Sequence, residues 1–129
     1  MEIKIVVHFK DGRIEKGTTT DFSPHHPSFH ILDLQGMSRQ VDISQLKAIF
    51  FVKDFGGRMD KMEKKVFPSK SLPGKKVQVK FTDGEILLGY TQGYDPKRTG
   101  FFLLPVDPES NNERIFVILS SLEYIQILD

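Results

Sequence analysis

The side chains best suited to chemistry stand together in DFSPHHPSFH, where His25, His26 and His30 fall between Asp21 and Asp33. Imidazole suits zinc, copper or nickel, and the carboxylates would add oxygen ligands. A structural zinc site takes four ligands, often including thiolate, and this chain has no cysteine. The stretch is rich in Pro, Ser and Asp, so it reads as a loop between strands, and no metal ligand is assigned. Ser23, Ser28, Ser44, Ser120 and Ser121 sit in no nucleophile-elbow pattern, and every histidine lies in the first half of the chain. No nucleophile–base pair emerges. Asp107, Glu109 and Glu113 bracket Ser-Asn-Asn without the spacing of a calcium loop and fit a polar hairpin tip. A protein without catalytic residues, cofactor or metal is expected.

Basic side chains offer a second chemistry. Residues 58–80 hold eight Lys and Arg against two Asp and Glu, a net +6 in a chain of +1, which leaves −5 for the remainder. Such segregation attracts phosphates or acidic protein surfaces, although a solvated linker has the same composition. Lys61, Lys64, Lys65, Lys70, Lys75 and Lys76 form the basic run. With Lys97, Arg98 and Tyr94 further along, they make the candidate surface for a protein or nucleic-acid partner. Aromatic rings are the third resource: Phe50, Phe51, Phe55, Tyr90, Tyr94, Phe101 and Phe102 exceed what two small cores can hold. Adjacent residues of a strand face opposite ways, so one ring of each Phe-Phe pair points outward. It either packs the halves together or meets a partner.

Period-2 alternation supplies the scaffold for these groups. Ile3, Ile5, Val7 and Phe9 alternate with other residues, as do Val77, Val79 and Phe81, the mark of a strand with one buried face. Val7, Phe9, Asp11, Gly12, Ile14 and Gly17 recur in register as Val79, Phe81, Asp83, Gly84, Ile86 and Gly89. Val41, Ser44, Leu46 and Ile49 recur as Val117, Ser120, Leu122 and Ile125 after four extra residues in or near PVDPESNNER. Each copy reads as five short strands. Asp-Gly between apolar runs predicts a hairpin turn, with positive φ open to both residues, and Gly17 and Gly89 predict bends inside the second strand. The sequence therefore predicts an all-β protein with minor helix, in which two tandem, strongly bent antiparallel five-stranded small barrels are related by internal duplication. Residues 1–54 would form the first, 55–74 a basic Gly/Pro-containing connector, and 75–129 the second.

The spacing Asp83-Gly84, Gly89, Tyr94-Asp95 resembles the first signature of the Sm-like proteins, which implies an Sm-like or SH3-like barrel. The asparagine and the Arg-Gly pair by which that family binds RNA have no counterpart. Thr99 or Gly100 and Ile118-Leu119 stand at those places, and the first copy has Ser23 for the aspartate. The string GYDPKRTGFFLLPVDPESNNERIFV is also similar to an uncharacterised bacterial domain.

At 39% hydrophobic and 27% charged residues, the composition is that of a globular chain. No stretch has the apolar length of a membrane helix, and MEIKIVVHFKDG alternates where a signal peptide would run continuously apolar. A cytoplasmic, non-catalytic binding or adaptor module acting through protein contacts is expected, with weak or non-specific RNA binding through the basic connector as the alternative.

Overall fold

The computed structural model describes residues 2–56, 67 and 73–128. Strands β1 (Ile3–Phe9), β2 (Ile14–Thr19), β3 (Ser28–Asp33), β4 (Ser38–Asp42) and β5 (Leu46–Val52) precede the segment at 53–74. Strands β6 (Lys75–Phe81), β7 (Ile86–Thr91), β8 (Gly100–Pro105), β9 (Asn112–Ile118) and β10 (Leu122–Leu128) follow it. Among the described residues, helix is confined to single 3-10 turns at Ile43–Gln45 and Leu119–Ser121, so the chain is all-β. In the first turn Asp42 caps its own helical end, accepting from the Ser44 N–H at 2.9 Å.

Each half pairs in the same way: hairpins join the first four strands in turn, and the fifth returns antiparallel to the first. The halves do not remain separate sheets. β5 pairs antiparallel with β9, Ile49 opposite Phe116 and Phe50 opposite Ile115, giving one ten-stranded order of β10-β6-β7-β8-β9-β5-β1-β2-β3-β4.

That join explains the aromatic excess. Alternate residues of β5 face two cores: Ile49 and Phe51 enter one with Ile5, Val7, Phe29 and Ile31, while Ala48, Phe50 and Val52 enter the other with Val77, Val79 and Phe101. β9 does the same in reverse, sending Phe116 and Ile118 into the first core and Ile115 and Val117 into the second. Both strands are buried on both faces, and both read as unbroken apolar runs, AIFFV and IFVI. The outward rings therefore close the join: Phe22 meets Phe29, Phe51 and Phe116 at 5.3, 5.5 and 5.3 Å, and Phe102 meets Phe116 at 5.0 Å.

The Asp-Gly turns differ from expectation in one respect. Only the glycine has positive φ, 95° at Gly12 and 99° at Gly84, and no other residue type does so among the described residues. Gly12 N–H donates to Phe9 O at 3.1 Å and Phe9 N–H to Arg13 O at 2.9 Å, a tight turn followed by a left-handed glycine bulge. The Asp spends its carboxylate on the loop instead, accepting from Arg13 N–H at 3.0 Å. Gly17 and Gly89 are needed for space, because a Cβ would stand 2.2 Å from Leu32 O and 2.4 Å from Leu104 O respectively. Neither lies in the positive-φ region, so the close crossing of the next strand excludes side chains and φ does not.

Candidate functional site

The ends of the sheet differ. β4, SRQVD, is short and buries only Val41, while Ser38, Arg39 and Gln40 point polar groups outward. Arg39 is further engaged by Glu15 at 3.4 Å and Asp33 at 3.6 Å. β10, LEYIQIL, is seven residues long and carries Tyr124 and Ile127 exposed at 37% and 40%. β10 is held on both faces: Leu122 and Ile125 pack on the second core, Tyr124 Oη accepts from Gln78 Nε2 at 2.7 Å, and Glu123 pairs with Lys80 at 3.2 Å. Its outer edge has no neighbour among the described residues.

The second surface is a cleft of 590 Å³ over β7, β8 and β9. Cross-strand pairing lines up Tyr90 with Leu104 and Phe102 with Phe116 on one face. Arg114 stacks between two rings, its guanidinium 4.5 Å from the centroids of both Phe51 and Phe102. At the rim Arg98 Nη1 lies 3.2 Å from His25 Nδ1 of the other half. Tyr90 is fully buried against Phe67, ring centroids 5.2 Å apart, and its hydroxyl has no hydrogen-bond partner among the described residues.

Electrostatics tie the halves together at a third place. Lys47 on β5 reaches Asp83 at 2.7 Å and also pairs with Glu85 on the β6–β7 hairpin, with its ammonium 4.6 Å from the Phe81 ring centroid. Burial pulls the Lys47 pKa down, but hydrogen bonds to the two carboxylates outweigh it and leave it raised. Asp83 is correspondingly lowered by the bond from Lys47 and the Glu85 N–H. His8, its ring tilted against Phe50 with centroids 4.5 Å apart, is lowered from its ordinary 6.5 by burial first and then by the Lys47 charge.

Lys61, Lys64, Lys65 and Lys70 lie outside the described residues. Lys75 is exposed, whereas Lys76 is half-buried with its ammonium 5.4 Å from the Phe67 ring centroid. Tyr94 packs edge-on against Phe101 at 5.4 Å, and Lys97 N–H donates to Asp95 Oδ1 at 2.9 Å. Of the described ones, only Arg98 lines the aromatic cleft. His30 Nδ1 is held by Asp21 Oδ2 at 2.7 Å and His25 sits beside Arg98, which separates the loop's imidazoles. Among the described residues no three or more His, Cys, Asp or Glu gather as a metal would require. The sequence marks Tyr90 only as one of the surplus rings and gives no sign of Phe116 or Arg114, because a single arginine in an apolar strand carries no motif. One ring of the Phe101-Phe102 pair was legible as outward, but not that it is Phe102 or that it stacks on Arg114.

The fold and surfaces define an all-β protein with two cores in one sheet, a polar edge, an open apolar edge and an arginine-lined cleft. The chain belongs to the family of unknown function DUF6982, whose model matches residues 1–129. No curated protein and no solved structure matches it. No helix among the described residues is long and apolar enough to cross a membrane.

Proposed function

We propose that this chain is a non-catalytic binding module in which two small barrels of Sm-like or SH3-like type, related by duplication, are fused edge to edge. It takes an extended segment of a partner protein as an added strand beside β10. The observation that carries the reading is the unequal treatment of the edges. Proteins guard exposed edges with short strands and charge, and β4 follows that rule, whereas β10 presents Tyr124 and Ile127 along seven residues. The strand that holds the same place in the first half, β5, is covered by β9. Strand addition would give β10 the same cover, main-chain bonds supplying affinity and alternate side chains specificity.

Selection of displayed random peptides on the immobilised full chain tests this. Enriched sequences should alternate apolar residues over about 5–6 positions, the usual strand length. Ile127→Lys should weaken their binding about tenfold or more, a difference of about 1.4 kcal/mol, with an unchanged melting temperature. Absence of enrichment, or equal affinity in Ile127→Lys, contradicts the reading. A dimer that Ile127→Lys dissociates would make a second copy the occupant. The nucleic-acid alternative draws on the net +6 of residues 58–80. Salt separates the two, because phosphate-driven binding weakens steeply as salt rises.

A further inference from the structure

The aromatic cleft has a counterpart on the first half, which shows what it has gained. Over β2, β3 and β4 the corresponding hollow encloses 130 Å³ and is lined by Thr18, His30, Leu32 and Ser38. Over β7, β8 and β9 the volume is 590 Å³, lined by the cross-strand pairs Tyr90 with Leu104 and Phe102 with Phe116, and by Arg114. A hollow that only packed the sheet would need no cation, yet this one holds two guanidiniums, Arg114 and Arg98.

We infer that this cleft is a binding site for an oxyanion borne on a flat apolar body, an aryl phosphate or aryl carboxylate. Four observations support it independently of the β10 edge, which lies beyond β6 in the sheet. The volume falls in the range of about 300–1,000 Å³ usual for small-ligand sites. Phe102, Leu104 and Phe116 give a floor on which a ring can lie. Arg114 forms no ion pair among the described residues and is fixed by stacking on Phe51 and Phe102, which leaves the edge of its fork for a carboxylate or phosphate. The Tyr90 hydroxyl is buried without a partner among the described residues, a cost that a ligand oxygen in the cleft would remove.

The test titrates the full chain with phenyl phosphate, inorganic phosphate and phenol, followed by amide chemical shifts. Phenyl phosphate should bind at least about tenfold more tightly than either fragment, which share its anion or its ring but not both. Arg98→Gln and Arg114→Gln should each weaken it by a similar factor. Tyr90→Phe gives the sharpest readout: removing a hydroxyl that has no partner among the described residues should leave the melting temperature of the free chain equal or higher and should still weaken phenyl phosphate. A phosphotyrosine hexapeptide run alongside distinguishes the sources, tighter binding assigning the anion to a partner's side chain and equal binding to a free small molecule. Phenyl phosphate no tighter than inorganic phosphate, or affinity untouched in all three variants, overturns the inference.

Discussion

β5 and β10 each close their half by returning to its first strand, yet β5 is buried on both faces and β10 is half exposed. The difference comes from their neighbours. β9 lies on β5 and sends Phe116 and Ile118 into the first core, so the first half is completed by the second. Nothing among the described residues does this for β10. At the opposite end, β4 holds Gln40 opposite His30 where β9 holds Phe116 opposite Phe102. One backbone plan therefore yields a joining strand when its face is aromatic and a guarded edge when it is polar.

Substitution at these paired positions should break the symmetry most strongly. Phe116→Ala removes a buried ring held among Phe22, Phe102 and the first core, and should cost about 3–5 kcal/mol in denaturant unfolding. Gln40→Ala, which loses one exposed bond to Ser28 Oγ at 3.1 Å, should change stability by about 0.5 kcal/mol or less. Equal effects would mean that β9 is not a wall of the first core. Gly17→Val and Gly89→Val should act alike, because each crossing leaves no room for a Cβ. A loss of about 3 kcal/mol is expected in either half, read as a fall in melting temperature.

Smaller effects sharpen the join. Replacing Lys47 with Met keeps its apolar stem but removes the partner of Asp83 and Glu85, and should cost about 1 kcal/mol, less at high salt. His8 has a lowered pKa, so the unfolded chain takes up its proton first. Stability should be full above 6.5 and decline as the pH falls through that value towards the folded pKa. His8→Gln should remove that part of the slope in thermal melts from pH 8 to 5. Asp83 works in the other window: its lowered pKa gives stability that is present above the ordinary 3.8 and is lost as the pH drops through the folded value.

Much of the architecture was legible because strands announce themselves locally. Val77, Val79 and Phe81 alternate, Asp83-Gly84 turns, and Gly89 lies where β8 crosses closely. In the run AIFFV, Phe50 and Phe51 cannot share one side, so one outward ring was legible, but not whether it met a second core or a partner. The identity of the covering strand was not legible, because β5·β9 pairing links distant residues and leaves no local periodicity. Arg114 was hidden for the same reason: its role depends on Phe51 across the strand pair and Phe102 on β8. The histidine loop drew attention by composition, yet folding assigns His30 to Asp21 and His25 to Arg98.

Backbone hydrogen–deuterium exchange of the full chain, with and without a peptide selected on it, addresses the central claim most directly. Free β10 amides that face the open edge should exchange faster than those of β5, which is bonded on both sides. Bound peptide should slow β10 and leave β4 unchanged. Protection that appears along β4, or in neither edge strand while peptide is bound, would contradict the assignment of β10 as the docking edge.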